Sequence, residues 1–167
     1  MRTIEELKVI DKLMAGHYIL MFFEISVLPK IRDIHEIIKK QAKIKEYKQS
    51  GYLTVRDRKD GLVLLVMIMG KCPSYKAKKY LYLSLERGER LFHHPGHLSS
   101  WQSRDEKNKK QGGAIIAGDY IVSFAGICEM LDEAIVLALS ELCRWLDSDK
   151  AKEIAEISSN YLYNYLK

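Results

Sequence analysis

Apolar positions recur along the chain in distinct rhythms, and each rhythm predicts an element. Ile4, Leu7, Ile10, Leu13 and Met14 fall at helical spacing behind the capping-box pair Thr3 and Glu6, and Gly16 ends the run. The apolar residues Tyr18 to Phe23, with Ile25, Val27 and Leu28 behind them, fit a strand or a buried helix, so residues 16–28 stay open between the two. Pro29 suits the first turn of a second helix, and Ile31, Ile34, Ile38 and Ala42 mark its apolar face down to Lys48. That face is expected to pack against a sheet. The period then changes to two. Tyr52, Thr54 and Arg56 alternate with Leu53 and Val55, Arg58-Lys59-Asp60-Gly61 supplies a turn, and Leu62 to Met69 is apolar throughout. This predicts a β-hairpin whose second strand is buried on both faces.

A helix is expected from Ser74, with Ser74 as N-cap, Ala77, Tyr80, Leu81 and Leu85 among its apolar positions, and Gly88 near its end. Leu98 to Gln111 is polar and lysine-rich without periodicity, which predicts an exposed, mobile loop. Gly112 to Leu139 is the most legible stretch. Ala114 to Ala117 and Tyr120 to Ala125 are short apolar runs broken at Gly118-Asp119, and a helical pattern follows from Glu129. That helix is expected over Cys128 to Trp145, and Ile154, Ile157, Tyr161 and Tyr165 predict a further surface helix. The order helix, hairpin, helix, loop, hairpin, helix predicts an α+β fold, an antiparallel five-to-six-stranded sheet with flanking helices. Residues 1–28 form an N-terminal helical extension in this reading, 29–143 the α+β domain, and 144–167 a C-terminal helical extension.

Composition narrows the class more than the function. The 167 residues are 47% apolar and 29% charged, as in a globular domain with a substantial core. The net charge of +5 comes from 27 basic and 22 acidic residues that are largely interspersed, so it argues little for nucleic acid. Cys72, Cys128 and Cys143 lie far apart beside apolar patterns, which fits buried thiols in a reducing, cytoplasmic compartment. The N-terminus lacks the cationic start and apolar core of a secretory signal, and the longest apolar run is interrupted by Glu24 well short of a membrane span. Ten tyrosines, including Tyr75, Tyr80 and Tyr82 and the set Tyr161, Tyr163 and Tyr165, suit a wet core edge or a subunit interface, so a homo-oligomer is expected. Lys107 to Lys110 and Lys76, Lys78 and Lys79 read as solvated faces.

Chemically, His93, His94 and His97 in LFHHPGHL are the one histidine cluster, and neutral imidazole is a ligand for haem iron or a borderline metal. No carboxylate or thiolate at ligand spacing completes a metal set, so surface histidines at a helix end are the plainer reading. Gly112 and Gly113 could let backbone approach a ligand, although neither a dinucleotide nor a P-loop motif surrounds them. Glu129, Asp132 and Glu133 fall in the first turn of a helix, where the dipole favours negative charge, and Asp57, Asp60 and Asp119 are turn residues. No Ser/His/Asp or Cys/His set points to an enzyme.

From about Leu28 to Leu142 the chain resembles the GlcG/HbpS-like domain family, found also at the C-terminal end of a cobalamin adenosyltransferase and in a secreted haem-binding protein. The residues that carry the resemblance are VRDRKDGLVLLV, the Ser74 to Ser84 helix, Pro95-Gly96, the paired glycines, the Gly118-Asp119 turn, IVSFAG and the Leu131-Asp132-Glu133-Ala134 helix start. The chain departs from the family's pattern at Ala114, where a proline is usual, and at Ala125-Gly126-Ile127-Cys128, where a glycine-rich turn is usual. The resemblance implies homo-oligomers that in some members bind haem, and it transfers no ligand residue. Two roles follow. One is a non-catalytic small-ligand module, with haem or another tetrapyrrole held between the sheet and the 89–111 loop and His93, His94 or His97 at the iron. The other is a ligand-free interaction or assembly protein that keeps the fold without the pocket.

Overall fold

Two hairpins interlock to build the sheet. The computed structural model describes residues 50–166 together with His17, Met21, Ile25 and Pro29. The helix expected over 4–14 lies outside the described residues, as do all of 29–48 but Pro29, which is helical, and most of 16–28, where His17 and Met21 are helical and Ile25 sits in a π turn. Strands β1 (Gly51–Asp57) and β2 (Val63–Met69) form the first hairpin, and β3 (Ala114–Ala117) and β4 (Tyr120–Ala125) the second. β4 pairs antiparallel with β1, setting Leu53 against Phe124 and Val55 against Val122, and the sheet order is β2-β1-β4-β3. Among the described residues the sheet therefore has four strands, not five or six.

The turns close by the chemistry expected of them. Asp57 Oδ1 accepts from the Lys59 amide at 2.7 Å and Asp60 Oδ1 from the Leu62 amide at 2.8 Å, while Gly61 takes φ +76°. Gly118 makes the second turn with φ +60° beside Asp119. Both positions are left-handed, where a side chain is strained.

Helices cover the two faces. Helix α1 (Ser74–Phe92) buries Tyr80, Ser84, Arg87, Gly88 and Leu91, one stripe at helical spacing. Ser84 Oγ lies 3.0 Å from Thr54 Oγ1 and donates to the Ser123 carbonyl at 3.1 Å, which seats α1 across β1 and β4. Leu53, Val55, Val122 and Phe124 point to the opposite face and join the core of helix α2 (Glu129–Leu142) through Leu131, Ala134 and Ile135. Helix α3 (Ser148–Ile157) starts at Asp147, whose carboxylate accepts from the Lys150 amide at 2.8 Å.

Four sequence expectations need correction here. β2 is not buried on both faces: Leu62 before it is 62% exposed, and Val66 and Ile68 within it are 47% and 51% exposed, because β2 is an edge strand rather than a central one. Helix α1 begins at Ser74 after Pro73 as N-cap and runs one turn past Gly88, since Arg90 and Leu91 are themselves buried. The expected surface helix at the end divides. Ser159 takes φ +53°, and a 3₁₀ turn at Tyr161–Tyr165 follows, burying Leu162 and Tyr163 and leaving Tyr161 and Tyr165 exposed. The 98–111 segment is not an exposed strip along its whole length: Ser99 and Ser100 are fully buried and Ser100–Ser103 forms a 3₁₀ turn. Among the described residues no helix is long and apolar enough to cross a membrane.

Candidate functional site

The space between the sheet and the 89–111 loop is where a ligand is expected from the sequence, and side chains of the protein close its 98–111 part onto the helix and the sheet. Two arginines of α1 do most of this. Arg90 donates to the carbonyls of Ser100 and Ser103 at 2.8 Å and to that of Gln111, pinning both ends of the segment to the helix. Ser99 caps the 3₁₀ turn by accepting from the Trp101 amide. The Ile116 amide donates to the Leu98 carbonyl at 2.8 Å and the Ala114 amide to Ser100 Oγ at 2.9 Å, so residues 98–100 run along the outer edge of β3. Arg104 pairs with Glu129 at 2.8 Å and lies over the Trp101 ring, 4.3 Å from its centroid.

Arg87 forms the centre. Its side chain and that of Asp132 are each 2% exposed, and Arg87 Nη1 lies 2.7 Å from Asp132 Oδ2. The same nitrogen donates to the Phe124 carbonyl at 2.6 Å, and Nη2 donates to Gln111 Oε1 at 3.2 Å. Asp132 Oδ1 accepts from the Ile127 amide at 2.9 Å, tying β4 to the first turn of α2. Burial pushes the Asp132 carboxyl above its ordinary range, against the pull of Arg87 and of the Ile127 and Gly126 amides. The carboxylate joins three elements and has no open side for a substrate.

Glu133, next on α2, is fully buried and differs in kind. Its carboxyl accepts from Ser99 Oγ and Ser158 Oγ through short hydrogen bonds and from Asn160 Nδ2 at 3.0 Å. Among the described residues no lysine or arginine pairs with it. Burial raises its proton affinity, opposed by those three donors. The dipole reading of the acidic trio therefore holds for part of it only: Glu129 accepts from the Gly112 amide at 3.0 Å, Asp132 reaches back to Ile127, and Glu133 links the 99 loop to the C-terminal segment.

The sequence-nominated residues do not converge. His93 is exposed and bonds Glu89 at 2.9 Å within α1; His94 bonds the Arg90 carbonyl and stacks on His97 with centroids 5.0 Å apart. The Nδ1 of His97 is buried and has no hydrogen-bond partner among the described residues. Among the described residues no group of three His, Cys, Asp or Glu side chains is placed to hold a metal. Gly112 and Gly113 are buried for packing reasons. A Cβ at Gly112 would come 2.5 Å from Trp101 Cε3, and one at Gly113, where φ is +120°, would come 2.5 Å from Arg87 Nη1. The cysteines are free and half-buried, and burial pushes the thiols of Cys128 and Cys143 up to about 11, which keeps them protonated at neutral pH. Sequence reasoning passed over Arg87 and read Glu133 as a helix-start charge only. The signal for Arg87 was its place in the Tyr80, Ser84, Leu91 stripe of α1.

An open depression of about 400 Å³ lies elsewhere, beside α3 and the C-terminal 3₁₀ turn, lined by Lys152, Glu156, Asn160, Tyr161 and Tyr163 among others. No family model matches the chain, and no curated protein or solved structure matches it.

Proposed function

We propose that the chain is a ligand-free interaction module, the second of the two roles that its sequence suggests. The observation that carries this reading is the close packing at the paired glycines, where a Cβ on Gly112 would come 2.5 Å from the Trp101 ring and one on Gly113 2.5 Å from the Arg87 guanidinium. Polar groups that could orient a small molecule are spent within the protein: Arg87 on Asp132 and Phe124, Arg90 on three loop carbonyls, Glu133 on three donors. Several large apolar and aromatic side chains face solvent. Leu62, Val66 and Ile68 at the sheet edge and Tyr75 and Tyr82 on α1 are exposed, the composition of a contact surface. Membership of the GlcG/HbpS-like family belongs to this proposal, and the hairpin, helix, loop, hairpin, helix order over 51–142 supports it.

The tetrapyrrole reading keeps one supporting observation, the stacked His94 and His97 with an unpartnered Nδ1 on His97. A haemin titration followed by absorbance separates the two. The interaction reading expects a flat titration and no rise in melting temperature. A saturable Soret shift that is lost in His97→Ala would overturn it.

A further inference from the structure

Charge is unevenly placed along this chain. The net charge is +5, yet from Glu129 to Asn164 acids outnumber bases by eight to three. The open depression of about 400 Å³ is lined from within that acidic stretch. It sits at the C-terminal end of α3, the negative end of the helix dipole, and α3 has no basic residue in its last turn. Lys152, the cation of the lining, turns to Asp149 at 3.2 Å. Glu156 on the rim is exposed and has no ion pair among the described residues. Asn160 adds an independent observation. It is 4% exposed, and its Nδ2 donates to the Met130 carbonyl at 2.7 Å and to Glu133 at 3.0 Å, both on α2, while its Oδ1 has no donor among the described residues. The two limbs of an amide diverge, so Oδ1 is turned away from α2 in a residue that lines the depression. A buried acceptor without a donor is destabilising until an occupant supplies one.

We infer that this depression receives an arginine side chain of a partner protein. The inference rests on the interaction reading above and names the chemistry of the contact. A guanidinium carries five donors in a planar fork, enough to serve Glu156 and Asn160 Oδ1 together, and its face stacks on an aromatic ring such as that of Tyr161. An ammonium brings the charge without the plane. A carboxylate or phosphate would meet Glu156 and the end of α3 with like charge. Two further carboxyl groups stand behind the lining, Glu133 bonded to Asn160 and Glu141 bonded to the Tyr163 hydroxyl, so acceptors and acids dominate on this side of the molecule.

The test titrates the full chain with Nα-acetyl-arginine methylamide and follows backbone amide resonances, with the citrulline and lysine analogues as controls. The resonances of Asn160, Tyr161 and Asn164 should shift saturably, with a dissociation constant on the order of 10 mM for a single side chain. Citrulline keeps the shape and loses the charge, so it should bind at least about 10-fold more weakly, and the lysine analogue should also bind more weakly. Because Glu156 is exposed, Glu156→Gln should keep the wild-type circular dichroism and weaken the arginine probe by about 10-fold. No saturable shift up to roughly 100 mM, citrulline or lysine binding as tightly as arginine, or a Glu156→Gln chain that binds like wild type overturns the assignment. Any of these results combined with a flat haemin titration leaves the interaction reading standing, whereas saturable haemin binding overturns that reading whatever the arginine probe does.

Discussion

Arg87 of α1 and Asp132 of α2 form an ion pair at 2.7 Å with both side chains almost wholly out of solvent. It is the point at which the helix on one face of the sheet meets the helix on the other, past the end of β4. Such a pair contributes little over an apolar replacement, because two charges lose their hydration. Breaking one side of it is costly, because the other charge is left buried and unpaired.

Arg87→Met is therefore expected to cost about 3–5 kcal/mol in urea denaturation, and Arg87→Met with Asp132→Leu to recover most of the loss. A single variant within about 0.5 kcal/mol of wild type would show that the pair is hydrated.

Glu133 predicts a pH dependence. Its folded-state affinity for a proton is raised by burial above the ordinary value of 4.5. The protonated carboxyl thus favours folding at pH below 4.5, and this contribution is lost as pH rises through the higher folded value. Glu133→Gln keeps the buried hydrogen bonding without the charge. Melting temperatures across the acid to neutral range should fall for wild type relative to the variant as pH rises. Parallel curves would mean that Glu133 does not titrate apart from its unfolded state.

The paired glycines give a test that separates packing from ligand binding. Gly113→Ala meets Arg87 Nη1 and strains a φ of +120°, so it should destabilise the fold by about 1–3 kcal/mol with no ligand present. Gly112→Ala meets the Trp101 ring at an unstrained φ and should cost less, because the ring edge can give. If both variants melt like wild type, the glycines are not there for packing.

These sites show where sequence reasoning reached and where it stopped. Turns were legible because their chemistry is local: Asp57, Asp60 and Gly118 act on amides or dihedrals within three residues of themselves. The start of α2 at Glu129 and the strands β3 and β4 were legible for the same reason. The exposure of β2 was not, since an unbroken apolar run has the same composition at an edge as in the middle of a sheet. The packing of the 98–113 segment was also hidden, because its anchors, Arg87 and Arg90, sit on another element and look like ordinary surface charges of a helix. Glu133 was read with Glu129 and Asp132 as a helix-start charge, and nothing near it in the sequence points to its donors Ser99, Ser158 and Asn160. The histidines were conspicuous in sequence because they are clustered, yet clustering at a helix end brought only His94 and His97 together.

The interaction role requires the 98–113 segment to be closed down on the sheet. Amide hydrogen exchange at Ala114 and Ile116, whose donors are bonded to Ser100 Oγ and to the Leu98 carbonyl, reads this directly. Both amides should exchange only with global unfolding, and Arg90→Ala should release them to a faster, local opening. Rapid exchange of both in the wild-type chain would show that the segment lifts from β3 and that a pocket opens beneath it, contradicting the closed arrangement on which the interaction reading stands.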